Sequence, residues 1–179
     1  NMFRLSAGIS SIALPLYKKL KFSIFEFPRL LLVRNSKPIL NSKGLGFFAP
    51  LANLAFKSWR AMTGLKPDSR FTVEKMQTVP DWVGELATND GHKFMENHNK
   101  EWLQWNLDYN FKGDKYDTQS MFIIKDGNEN MGFVMIKERW RETAGSLKNL
   151  ILGSIVEWGS YDENRLSEAD IIKIAVPLF

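Results

Sequence analysis

Cysteine is absent from the chain, which removes disulfides, thiolate zinc sites and cysteine nucleophiles together. A reducing compartment suits such a sequence, and the expected location is the cytoplasm. Histidine is nearly absent as well: His92 and His98 are the only two, and six residues apart they face different sides of a helix with no HExxH-type partner. No metal site is expected. Glycine-rich chemistry is also missing, with no Walker loop, no GxSxG elbow and no Rossmann glycine set. No apolar run reaches the roughly 18 to 20 residues of a spanning helix, because Pro15, Lys18 and Lys19 interrupt Gly8 to Phe22. The opening NMFRLSAGISSIALPL lacks a small-residue cleavage site followed by a fresh domain start, so no signal peptide is expected.

Acid is scarce in one region only. Residues 1–66 hold eleven Lys and Arg against one acid, Glu26, while the rest of the chain holds thirteen basic and nineteen acidic residues. The two parts are therefore +10 and −6, within a net charge of +4. Opposite charge favours docking of the two parts onto each other; the competing reading is a basic face for an anionic partner such as a phosphate-bearing cofactor or a membrane surface. Nucleic acid is not an expected partner, because the aromatic residues do not interleave with the basic ones as a stacking platform requires. What is present in quantity is apolar anchoring: thirteen Phe and six Trp in 179 residues, enough to bury a sizeable core.

Periodicity divides the chain. From Gly8 to Leu20 the residues Ile9, Ile12, Ala13, Leu16, Tyr17 and Leu20 form a helical stripe, with Pro15 kinking it or starting it late. FSIFEFPRLLLV (Phe22 to Val33) reads as a strand, NSKPILNSKG (Asn35 to Gly44) as a turn-rich linker, and Leu45 to Met62 as a connecting helix ended by GLKPDS. Phe71 to Val79 alternates as a strand, and Pro80 and Asp81 are set to start a helix. Phe94, His98, Trp102, Trp105 and Tyr109 recur at helical spacing. Three strands follow, SMFIIK, MGFVMIKER and LKNLILGSIVEW, the first two joined by the hairpin signal DGNEN. LSEADIIKIAV closes the chain as a helix capped by Ser167 or an earlier Asp or Asn. The order predicts an α+β layer with an antiparallel meander, and no repeat of 20 to 50 residues is present.

That order, with a second hairpin strand opening MGFVMIK and a third ending IVEW before a helix, resembles the amino-terminal part of a GNAT acyltransferase domain. EWLQWNLDYNF (Glu101 to Phe111) is similar to a Trp-containing segment of bacterial GNAT-like proteins of glycan biosynthesis. LPLYKKLKF followed by FPRLLLV looks like the closing helix and strand of such a domain, with Lys21 where the family usually has Gly. The resemblance implies a GNAT-like mixed, largely antiparallel sheet flanked by helices. It implies residues 1–35 as the tail of a first unit, 36–69 as a linker with its helix, and 70–179 as the start of a second. The sequence would then be a piece of a tandem protein, or the two pieces would complete one sheet within a chain or by swapping between chains.

The same resemblance supplies candidate residues and a substrate. It implies acetyl-CoA or another acyl-CoA as donor, an amine or hydroxyl acceptor such as a glycan or peptide precursor, and catalysis by Glu157 as general base and Tyr17 as general acid. Trp158, Gly159 and Arg165 fall where the family binds CoA, and Trp102 and Trp105 are placed to stack on an acceptor. Each has a plainer reading: Glu157 as a solvated strand residue, Tyr17 and the two Trp as core. Against the donor site, SYDENRLSEAD (Ser160 to Asp170) has no Gly where the family carries a glycine signature, and Asp162, Glu163, Glu168 and Asp170 repel a pyrophosphate. The function expected is acyl transfer; its rivals are a non-catalytic, degenerate GNAT-like binding module and a basic membrane-surface binder that uses residues 1–66.

Overall fold

The computed structural model describes residues 13–21, 32–62, 64, 66–88, 98–109, 117–144 and 146–179. The strand expected over Phe22 to Val33 falls almost wholly outside them, as do Ile9, Ile12, His92 and Phe94. The chain divides into two units, Asn1–Leu32 and Val33–Phe179.

In the first unit, α1 spans Leu14–Lys19 and carries Pro15 in its first turn, where a missing N–H costs nothing. Leu20 and Lys21 close it through backbone bonds to Leu16 and Lys18. Lys21 takes φ +58°, the left-handed conformation that glycine adopts most readily.

In the second unit, α2 (Lys37–Asn41) lies inside the stretch expected to be plain linker. Pro38 near its start, with φ already fixed in the helical range, favours that turn of helix. A single 3-10 turn at Gly46–Phe48 leads into α3 (Ala49–Met62). The sheet then begins with β1 (Phe71–Met76), followed by α4 (Asp81–Thr88) and α5 (Lys100–Asp108). Next come β2 (Thr118–Asp126), β3 (Glu129–Ala144) and β4 (Leu147–Ser160). Helix α6 (Glu168–Ala175) and a 3-10 turn end the chain. The architecture is α+β: four strands in the order β1-β2-β3-β4, all neighbours antiparallel, with six α-helices among the described residues.

Two local signals act as the sequence suggests. Gly127 takes φ +58° between paired Asp126 and Glu129, making the tight β2–β3 turn. Ser167 caps α6 in a full capping box with Asp170, each side chain bonding the other residue's backbone N–H.

Apolar residues sit on both sides of the sheet. On one side, α6 places Ile171, Ile174 and Ala175 in a cluster with Ile124, Met131, Val134 and Ile136. On the other, Val83 and Ala87 of α4 and Leu103 of α5 share a cluster with Met121, Phe133 and Met135. Strand β3 therefore feeds both clusters from successive residues, which is why MGFVMI is apolar throughout instead of alternating. Each of the buried Val, Leu, Ile, Met and Phe side chains contributes on the order of 1.5–3 kcal/mol through burial.

Candidate functional site

Glu157 is positioned by an irregularity in β4. Met135 pairs with Glu157 and Ile136 with Ile155, so Val156 is an extra residue on the β4 side of the ladder. A bulge of this kind re-aims the side chains next to it. Here Val156 packs into the α4/α5 cluster, and Glu157, opposite Met135, points to that same side.

The group that meets Glu157 is His98. Its Nδ1 pairs with Glu157 Oε2, and both side chains are about one-fifth exposed, at 22% and 19%. The imidazole is held from behind by Trp102, whose ring stacks on it at 3.9 Å with planes 7° apart. The placement follows from local structure: Asn99 caps α5 by accepting from the Trp102 N–H at 3.0 Å, so His98 sits just outside the helix, one turn below Trp102. A carboxylate, an imidazole and an indole thus meet at the β4 bulge.

Sequence reasoning missed His98 as a functional residue because it weighed histidine only as a metal ligand. The signal was there in part, since His98 and Trp102 stood on one stripe, but nothing in the sequence brings residue 98 to residue 157.

A second polar group stands farther along the same face. Asp117, nearly buried, lies 3.3 Å from Lys137 Nζ and 3.3 Å from Arg139 Nε. Lys137 is buried as well, and it pairs with Gln119 on β2 and Ser154 on β4. Its place two residues on from Met135 sets it on the α4/α5 side.

The other candidate residues are spread out. Trp158, opposite Val134, turns to the α6 side of the sheet and is partly exposed. Gly159 turns the other way, and a Cβ there would come within 2.7 Å of Phe133 Cε1 and 3.1 Å of Leu86 Cγ. Close packing accounts for that glycine without any ligand. Trp105 is exposed and stacks on Tyr109 at 5.0 Å. Tyr17 lies on α1 in the other unit. Tyr161 follows β4 and stacks on Trp82 at 5.3 Å, its phenol pushed up by partial burial and then by the nearby charge of Glu85.

Arg165 forms a two-pronged pair with Glu129, at 3.0 and 2.9 Å, and lies 3.5 Å from Asp126. The hydrogen bonds from Arg165, followed by its charge, hold the Glu129 carboxyl below the usual carboxylate range. Arg165 is committed to the hairpin. At the start of α6 the Asp170 N–H is taken by Ser167, and the Asp170 carboxylate already occupies the positive end of the helix. With Glu168 beside it and no glycine to admit an anion closely, this helix start does not fit a pyrophosphate.

Among the described residues no cluster of three His, Asp or Glu is arranged to hold a metal ion, and no helix is long and apolar enough to cross a membrane. Compared with family models, curated proteins and solved structures, the chain matches none.

Proposed function

We propose that the chain is a GNAT-like acyltransferase, moving an acetyl or acyl group from acyl-CoA to an amine or hydroxyl acceptor, with Glu157 as general base and His98 as its positioning partner. The observation that carries this reading is the largely buried His98–Glu157 pair at the β4 bulge. Support comes also from the element order of strand, two helices, three antiparallel strands and helix, which is the order the resemblance implies. The glycine-like φ of Lys21 supports it further.

The chemistry open to these residues is proton removal. His98 Nδ1–H donates to Oε2 of Glu157, which fixes the carboxylate and leaves Oε1 to accept a proton from the acceptor's N–H or O–H. Trp102 locks the imidazole plane, so the carboxylate stays aimed. No acyl-enzyme is needed: the deprotonated acceptor attacks the thioester carbonyl, the new C–N or C–O bond forms as the C–S bond breaks, and CoA leaves as its thiolate, which takes a proton from solvent.

A general base of this kind is worth about 10²- to 10⁴-fold in rate. Glu157→Gln should therefore lower kcat by that factor while calorimetric binding of acetyl-CoA and desulfo-CoA is unchanged. Should neither CoA species bind the protein, the enzyme reading falls. The second reading, a non-catalytic module, is favoured by one observation: the α6 start is already filled by its own capping box and acids.

A further inference from the structure

Helix α3 is packed inside out. Polar groups tie it to the fold: Asn53 Oδ1 accepts from the Ser36 N–H at 2.7 Å and pairs with Ser36 Oγ at 2.8 Å, and Arg60 donates to the Val33 carbonyl at 2.9 Å. Of its residues only Ala49 is buried. The opposite side is apolar and open to solvent, with Leu51 67%, Leu54 61%, Trp59 56% and Met62 85% exposed, and Phe47 just ahead of the helix 73% exposed. Residues 51, 54 and 62 fall on one stripe of α3 at 100° per residue, with Trp59 along its edge and Phe47 and Phe48 in the 3-10 turn just ahead. A contiguous apolar face of this kind on a folded unit marks a docking surface.

Charge says what docks. No Asp or Glu occurs between Glu26 and Asp68, while Lys37, Lys43 and Lys57 all lie within residues 33–62. A second copy offering the same face would set cation against cation. An anionic bilayer answers both halves of the surface: headgroups take the lysines, and the acyl boundary takes Phe47, Leu51, Leu54 and Met62. Trp59, at the edge of the stripe, has the amphipathic ring favoured at that boundary. With 14 residues α3 is about 21 Å long, too short to span and suited to lying in the plane of the interface.

We propose that the outward face of α3, with Phe47 and Phe48, docks this protein on an anionic lipid surface. The proposal does not rest on the acyltransferase reading.

The test is co-sedimentation of the full chain with vesicles of phosphatidylcholine alone or with about 30% phosphatidylglycerol, at about 0.1 M salt. Binding should require the anionic lipid. Leu51→Glu with Leu54→Glu, both at exposed positions, should weaken it at least about ten-fold with an unchanged circular dichroism spectrum. Lys43→Ala and Lys57→Ala should each weaken it about five-fold. Absence of binding to anionic vesicles overturns the proposal, as does binding indifferent to the Leu51 and Leu54 changes. A dimer in light scattering that the double variant dissolves would give the face to a second copy and likewise overturn it.

Discussion

In α5, Leu103 is sealed into one cluster with Met121, Phe133 and Met135, whereas in α3 Leu51 and Leu54 stand in solvent and Asn53 makes the contact with the fold. Both helices carry apolar residues at helical spacing, and both are amphipathic. Spacing determines that one side of a helix is apolar; it does not determine that the apolar side faces the protein. What separates the two is the partner. α5 lies against a sheet whose facing strands are apolar, and α3 lies against the polar segment at residues 33–36.

The contrast is tested first at its sealed end. Phe133 is fully buried beneath α4 and α5, and Gly159 leaves just enough room for its ring. Phe133→Ala should lower unfolding free energy by about 3–5 kcal/mol, read from the denaturant midpoint. A loss below about 1 kcal/mol would mean that the α4/α5 layer is not packed as described.

Next in size is the polar group on the same face. Asp117 is a carboxylate that Lys137 and Arg139 share, so Asp117→Ala removes a counter-charge 3.3 Å from a buried ammonium. The expected loss is about 3 kcal/mol, whereas Asp117→Asn, which keeps the shape and part of the hydrogen bonding, should cost less.

How far the sequence reveals this arrangement depends on the range of the signal. The α6 cap at Ser167, the Gly127 turn and the start of α4 at Asp81 are local chemistry, and each stands where the residue types put it. The β4 bulge was not legible, because a bulge is defined by the partner strand, and LGSIVEW alone reads as unbroken strand. That one extra residue decides which way Glu157 points. The His98–Glu157 contact joins residues 59 apart, and such contacts leave no trace in spacing. The stretch Asn35–Gly44 shows the reverse failure: turn-forming residues suggest linker, and Pro38 instead sits in the first turn of α2.

A smaller effect probes α6. Ser167→Ala removes the cap and should cost about 1 kcal/mol, a fall in Tm of about 2–4 °C. The hydrogen bond from the Ser167 hydroxyl is the main cause that holds the Asp170 carboxyl below its ordinary value, with Lys173 assisting. A lowered folded-state value stabilises the protein above the ordinary carboxylate range, and that part is lost as the pH falls through the folded value. The gap between wild type and Ser167→Ala should therefore narrow below about pH 4. A gap of constant size down to pH 2 would show that Asp170 does not titrate against Ser167.

The smallest expected effect is at the open end of the comparison. Leu54 is as apolar as Leu103, yet it is 61% exposed, so truncating it opens no cavity and returns little surface to water. Leu54→Ala should change stability by no more than about 0.5 kcal/mol, against about 2–5 kcal/mol for Leu103→Ala in the same denaturation assay. The pair is informative because the chemistry of the deletion is identical and only the surroundings differ. Equal losses at the two positions would mean that α3 buries its leucines in free solution, and its apolar face would then belong to the core. A large loss at Leu103 alone leaves that face as surface the fold does not use, which is the condition any external partner of α3 requires.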